Sequence, residues 1–286
     1  MKNIIPIFLL LFISTQVFAG GGWPQPKGKS YFKLGQWWVI SDEHFTDNGG
    51  IDPNVTNGIF NTSIYGEYGF TDRLTGILYF PFFSRALYNN TVSSTTGEII
   101  LPGEAINSIG DTDFGLKYNF WRKGSLVVSA TLTLGIPLGE DRGGDAGILQ
   151  TGDGEFNQLL QVDAGTSLTI GKTNTYFNAY AGYNNRTKGF SDEFRFGLEG
   201  GVNLFNDQLT AIFRLYGSQS LHNGNLEELI TSTTIFANNS EHLTFSPEIA
   251  YRIKDNWGVT AGFAKALSGE LIFVDPAFSV GIFAQF

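Results

Sequence analysis

Read with period two, the strand-like stretches of this chain place their charged residues on one face. Lys33, Glu67, Asp113, Lys117 and Asp163 fall on that face, as do Arg195, Glu199, Arg214, Glu248 and Arg252. Five are basic and five acidic. Tyr65, Tyr79, Tyr180 and Tyr216 share the face, together with Trp37, Phe83, Tyr176 and Phe283. Opposite charges on neighbouring strands can pair, and pairing makes their burial tolerable. The chemistry open to such a set is not bond-making. It is either the bracing of an interior or the lining of a solute path by rings and balanced charge.

Groups that make and break bonds are scarce. His44, His222 and His242 sit in or beside polar connections. Ser240 near His242 offers a Ser–His neighbourhood, but no strand carries such a pair at a recognisable spacing. The chain is therefore read as non-enzymatic. It has no Cys, which excludes a thiolate metal site, a Cys nucleophile, a disulfide framework and a lipidated amino terminus. No phosphate-cradling Gly loop is present, and no cofactor is expected. Acidic residues gather in the connections: Asp42, Glu43, Asp47 and Asp52; Glu140, Asp141, Asp145, Asp153 and Glu155; Asp192 and Glu193; Glu227 and Glu228. Gly139 to Asp145 offers oxygen ligands but lacks the spacing of a calcium loop, so it is read as a solvated surface. With 27 acidic against 18 basic residues and a net charge of −9, nucleic acid is not an expected partner.

The elements that must carry these residues are strands. Twelve are read: Tyr31–Ile40, Ile59–Phe70, Leu74–Arg85, Thr112–Trp121, Leu126–Ile136, Phe156–Ile170, Tyr176–Asn184, Phe194–Leu204, Leu209–Gly217, Leu243–Arg252, Trp257–Ala266 and Ala277–Phe286. Long polar connections alternate with tight turns such as Thr71-Asp72-Arg73 and Arg122-Lys123-Gly124. In Thr112–Trp121 the apolar set is Phe114, Leu116, Tyr118 and Phe120, against Asp113, Gly115, Lys117 and Asn119. Pro81 has no ladder donor and is expected at a bulge or near a rim. Tyr68, Phe70, Tyr118, Phe120, Phe205, Tyr251 and Trp257 stand beside the short turns, where a membrane barrel wears its aromatic girdle. Helical periodicity is absent except over Leu226 to Ile230.

Residues 1–19 read as a secretory leader: Lys2, an apolar core from Ile4 to Ile13, then Val17 and Ala19 before the cut. The expected mature unit, residues 20–286, is one membrane-spanning antiparallel up-and-down β-barrel of about twelve strands. It is all-β, with short periplasmic turns and long extracellular loops, and its place is the outer membrane of a Gram-negative cell. Gly20 to Gly28 forms a periplasmic lead with Trp23, and no plug domain is foreseen ahead of the first strand. The last stretch, AFSVGIFAQF, alternates over ten residues and ends on Phe286. Here the chain resembles outer-membrane barrels, whose terminal aromatic residue is read by the insertion machinery. Phe286 is thus the assembly signal that the resemblance implies.

Further motifs carry a narrower resemblance. They are Tyr31-Phe32-Lys33-Leu34-Gly35, Tyr68-Gly69-Phe70-Thr71-Asp72-Arg73-Leu74, Gly110-Asp111-Thr112-Asp113-Phe114-Gly115-Leu116-Lys117-Tyr118 and Leu134-Gly135-Ile136-Pro137-Leu138-Gly139. Together they are similar to the "MetA-pathway of phenol degradation" family of outer-membrane proteins, over most of the mature chain. The resemblance implies a barrel that moves small, often aromatic or apolar molecules.

Two functions follow as expectations. One is a passive channel for small solutes. The other is a structural or surface-interaction barrel whose partners are outer-membrane lipid, lipopolysaccharide and divalent cations. Twelve strands lie between the roughly eight whose side chains fill the interior and the sixteen or more of wide porins, so a narrow lumen is expected.

Overall fold

The structure, a computed structural model, describes residues 20–171, 173–226 and 235–286. The expected leader, the helical reading at Leu226 to Ile230 beyond its first residue, and Glu227 and Glu228 lie outside these residues.

Fifteen strands are formed among the described residues: β1 (Ser30–Phe45), β2 (Ile51–Gly69), β3 (Leu74–Tyr88), β4 (Thr91–Val92), β5 (Ile99–Leu101), β6 (Glu104–Ser108), β7 (Thr112–Lys123), β8 (Leu126–Ile136), β9 (Asn157–Ile170), β10 (Thr173–Arg186), β11 (Glu193–Leu204), β12 (Leu209–Ser220), β13 (Glu241–Lys254), β14 (Trp257–Glu270) and β15 (Ala277–Gln285). Twelve of them close an antiparallel barrel, in which sequence neighbours pair and β15 returns to β1 from Tyr31↔Gln285 to Trp38↔Phe278. Closure leaves no edge for another chain to extend. The expected β-barrel and its strand count are thus the observed ones.

Period-two patterning decides which face meets lipid. Phe32, Leu34, Ile64, Phe114, Leu116 and Leu198 lie on the outer face, each at least 40 % exposed. Burying such side chains in hydrocarbon is favourable only if every backbone group is paired within the sheet, and the closed ladder pairs them. Tyr68, Phe70, Tyr118, Phe120 and Tyr251 are exposed near the short turns, in the expected girdle.

Several boundaries differ from the reading. β1 and β2 run on to Phe45 and Ile51, so the first outer connection, expected over residues 41–57, shrinks to a turn in which Thr46 N–H donates to Gly50 O at 2.8 Å. The ladder continues above the lipid because backbone bonds do not need apolar side chains. The second outer connection, expected as a loop, contains β4, β5 and β6, of which β6 pairs with the outer half of β3. β6 and β7 are therefore two halves of one barrel strand, interrupted at residues 109–111.

Phe83, expected inside, lies outside. Thr62 pairs with Phe83 but Ile64 pairs with Phe80, so the β2–β3 register slips around Pro81. Pro81 offers no N–H to the ladder, and its carbonyl instead accepts the Gly110 N–H at 2.8 Å. Above the bulge the alternation inverts. Ser84 turns inward and is 1 % exposed, while Phe83 is 42 % exposed.

Candidate functional site

Among the described residues, two chambers lie in the lumen. The periplasmic one, about 430 Å³, is lined by Tyr31, Lys33, Tyr65, Tyr79, Tyr176, Glu199, Arg214 and Glu248, among others. Its charges form one chain across four strands. Glu199 on β11 and Arg214 on β12 are direct register partners, and Arg214 Nε donates to Glu199 Oε2. Arg214 Nη1 is 3.5 Å from Glu248 Oε2 on β13, and Lys33 Nζ on β1 is 3.3 Å from the same oxygen. Tyr176 donates its hydroxyl to Glu199 Oε1 at 2.8 Å. Two acids and two bases thus neutralise one another across the lumen. Rings fill the rest of the wall, with Tyr31 stacked on Phe283 at 5.9 Å and edge-on to Tyr65 at 6.2 Å.

Below and beside this chamber the amino-terminal lead runs inside the barrel. Gly22 N–H donates to Asn178 Oδ1 at 2.9 Å, and Gly22 O accepts from Ser129 Oγ. Gln25 N–H donates to Thr75 Oγ1, and its Nε2–H to Glu67 Oε2, each at 2.8 Å. Trp23 meets Tyr176 edge-on at 5.9 Å. The lead was read as a periplasmic segment; its polar backbone instead finds partners on the inward side chains of β2, β3, β8 and β10. Glu67 and Asp163 serve this fit. Glu67, 1 % exposed, accepts from Gln25 and from the Tyr65 hydroxyl. Asp163, also 1 % exposed, accepts from Asn178 and Gln161.

The outer chamber, about 480 Å³, is lined by Tyr180, Arg195, Tyr216, Arg186, Asp153 and His242, and by Ile235, Ala237 and Phe273 from outer connections folded inward. Arg186, with 4 % of its side chain exposed, organises its rim. It reaches Asp153 Oδ2 at 3.0 Å, Glu155 Oε1 at 2.9 Å and Glu193 Oε1 at 2.9 Å, and stacks over Phe190 at 4.2 Å. Arg195 Nη2 takes the other Glu193 oxygen at 2.7 Å. Asp153 also sits against Asp111, whose carboxylate accepts the Gly139 N–H at 2.9 Å and the Asp153 N–H at 2.8 Å. Burial pushes the Asp153 carboxyl up to about 6, against the pull of Arg186, and the neighbouring Asp111 adds to the rise. Burial likewise raises Asp111 and Glu155. At Asp192 burial also opposes ionisation, but hydrogen bonds from the Arg186 N–H, Asn223, Tyr183 and Asn185 outweigh it and hold the carboxyl below its ordinary value.

Of the ten inward charges read from the sequence, Lys33, Glu199, Arg214 and Glu248 share the chain of pairs, and Arg195 pairs with Glu193 of its own strand. Glu67 and Asp163 have neutral partners instead. Asp113, Lys117 and Arg252 make no ion pair among the described residues; Lys117 is 3 % exposed, opposite Thr131 of β8. The role of Arg186 and the lead's place inside the lumen were not foreseen. Arg186 fell in an expected loop, and nothing local marks a loop arginine as buried. The three histidines were placed at the outer side. His242 is at the outer chamber, with Nδ1 2.9 Å from Thr244 Oγ1 rather than bonded to Ser240. His222 Nε2 is 3.3 Å from Glu241 Oε1, and with Glu270 these residues bring ligand atoms within 4.8 Å of one another, the one described set that could hold a cation.

A closed twelve-strand barrel with an apolar outer band, a polar two-chamber lumen and both ends of the sheet at the short-turn rim defines an outer-membrane β-barrel protein. The fold is similar to the crystal structure of the COG4313 outer membrane channel from Pseudomonas putida F1, with TM-score 0.64 and 16 % identity over 95 % of this chain and 100 % of that one. Weaker likenesses are the KdgM porin in complex with disordered oligogalacturonate (TM-score 0.45, 6 % identity, 90 % and 99 % covered) and the β domain of the Bordetella autotransporter BrkA (TM-score 0.49, 13 % identity, 92 % and 100 % covered). No protein-family model and no curated protein matches the chain.

Proposed function

We propose that the protein is a passive outer-membrane channel for small, partly apolar or aromatic molecules. The observation that carries this reading is the periplasmic chamber, in which six aromatic side chains surround a neutralised chain of charges. Rings offer an apolar solute a surface to lie on, while paired charges give an ion of either sign no net attraction. Lys33, Tyr65, Tyr79, Glu199, Arg214 and Glu248 line that chamber, and Tyr180, Arg195 and Tyr216 the next. Glu67 and Asp163 brace the wall and the lead, and Asp113, Lys117 and Arg252 add to the charge of the inner wall. The motif resemblance to the phenol-degradation family supports the same solute class. Transport of this kind runs down a gradient, with no cofactor and no bond made.

Phe286 serves the insertion machinery in this reading, and outer-membrane lipid and lipopolysaccharide surround the barrel. One observation favours the structural alternative: the lead occupies the periplasmic half of the lumen. Planar-bilayer recording and liposome swelling with a panel of neutral aromatic, neutral polar and charged solutes decide between them. Flux of small neutral aromatics supports the channel. No conductance, and no change in uptake when the gene is deleted, leaves the structural reading.

A further inference from the structure

Among the described residues, Trp37 alone lines both chambers. Its indole is held from two sides. On the wall side, Nε1–H donates to the Tyr79 hydroxyl at 3.3 Å, that hydroxyl donates to Asn61 Oδ1 at 3.3 Å, and Asn61 Nδ2–H donates to Ser84 Oγ at 2.9 Å. This relay crosses β1, β2 and β3 and ends on a buried serine. On the outer side, Trp37 packs against the cluster of Val39, Ile59 and Phe273. Phe273 comes from the connection between β14 and β15, so a folded-in outer segment grips the ring from above. A side chain anchored by both hydrogen bond and packing keeps one rotamer, and a fixed ring at a junction sets a fixed cross-section.

Charges line the chambers on both sides of this neutral indole, and Asp113 stands opposite Tyr79 in the β3–β7 register. The periplasmic chamber carries Lys33, Glu248, Arg214 and Glu199, and the outer chamber carries Arg195, Glu193, Arg186, Asp153 and Asp275. A solute moving between them leaves one polar chamber, passes the indole and enters another. The indole gives a planar apolar ring contact and itself carries no charge to replace the hydration of an ion.

We propose that Trp37 is the specificity-determining residue of the lumen, fixing the size and polarity of what passes between the two chambers. This rests on the channel reading above. The chain has no native cysteine, so single cysteines report cleanly. Ala264 lines the outer chamber and Ala250 the periplasmic one. In planar bilayers, a bulky charged methanethiosulfonate added on the extracellular side modifies Ala264→Cys rapidly whether Trp37 is present or replaced. It modifies Ala250→Cys slowly beside Trp37 and several-fold faster in Trp37→Ala, whose conductance and size limit for neutral solutes also rise. Trp37→Phe keeps a ring without the N–H and falls between; it also serves where Trp37→Ala fails to fold. Equal modification of Ala250→Cys with and without the indole, in a protein that conducts, overturns the role of Trp37 and leaves the channel reading standing. Absence of conductance in both the native protein and Trp37→Ala removes the channel reading and this proposal with it.

Discussion

Ser30 and Phe286 exchange two backbone hydrogen bonds, each 3.0 Å long, and so close the barrel at its periplasmic rim. The Phe286 ring itself is 60 % exposed and faces away from the lumen. Its bonds belong to the backbone, and its side chain takes no part in the closing pair. Phe286→Ala therefore keeps the closing pair. The expected outcome is a lower amount of heat-modifiable barrel in the outer membrane, with little change in melting temperature once the variant is refolded in detergent. Gel migration with and without heating, and calorimetry of the refolded protein, check it.

Arg214 is the shared partner of Glu199 and Glu248. Arg214→Ala leaves Glu199 without its ion pair and Glu248 with Lys33 alone. A fully buried pair broken on one side costs about 3–5 kcal/mol, and the partial exposure of Arg214 places the expected loss at roughly 2–3 kcal/mol. Denaturant unfolding in detergent measures it. Channel recordings of the same variant should shift toward cation selectivity, because the neutralised chain becomes net negative.

Gly165 on β9 makes room for the lead. A Cβ there would stand 2.5 Å from Trp23 Cη2, and its other near neighbours belong to the same indole. Gly165→Ala should displace Trp23 and loosen residues 20–26 while leaving the strand pairing intact, since alanine is tolerated in a ladder. The expected outcome is faster amide exchange at Gly22 and Gln25 and a higher open-channel conductance. Unchanged exchange at both residues would show that the ring moves aside without releasing the lead.

Asp153 ties the connection before β9 to Arg186 and Asp111. Its carboxyl stands at about 6 when folded, above its unfolded value of about 4. The folded state thus holds the extra proton, and the stabilisation is complete below about pH 4 and lost as pH rises through about 6. Burial shifts Asp111 and Glu155 in the same direction. Asp192 is shifted the other way and loses its contribution only at more acid pH. Amide exchange over residues 138–156, corrected for the intrinsic rate, should be slower at pH 5 than at pH 7. Asp153→Asn should flatten that difference, since the amide cannot titrate.

The strands were legible because each is specified locally. Lipid requires an apolar side chain at every second position, and Phe114, Leu116, Tyr118 and Phe120 declare both a strand and its outer face without reference to any other segment. Leu126–Ile136 was read with the bounds it has. Strand ends were less legible, because β1 and β2 continue above the membrane on backbone bonds alone. Pro81 was read at a bulge or near a rim, yet its consequence for Phe83 was not read, because the direction of a slip depends on the partner strand.

Sequence by itself determined that this chain is a closed barrel with tyrosines and balanced charge inside, because period-two alternation and turn chemistry act over a few residues. Only the tertiary structure decided which charges meet and what fills the lumen. Gly22 and Asn178 are 156 positions apart, Lys33 and Glu248 are 215 apart, and Trp37 is gripped by Phe273. Such contacts follow from closure, which brings the first strands beside the last and the lead beneath both. No window of sequence contains that geometry, since it arises from the register of twelve strands taken together.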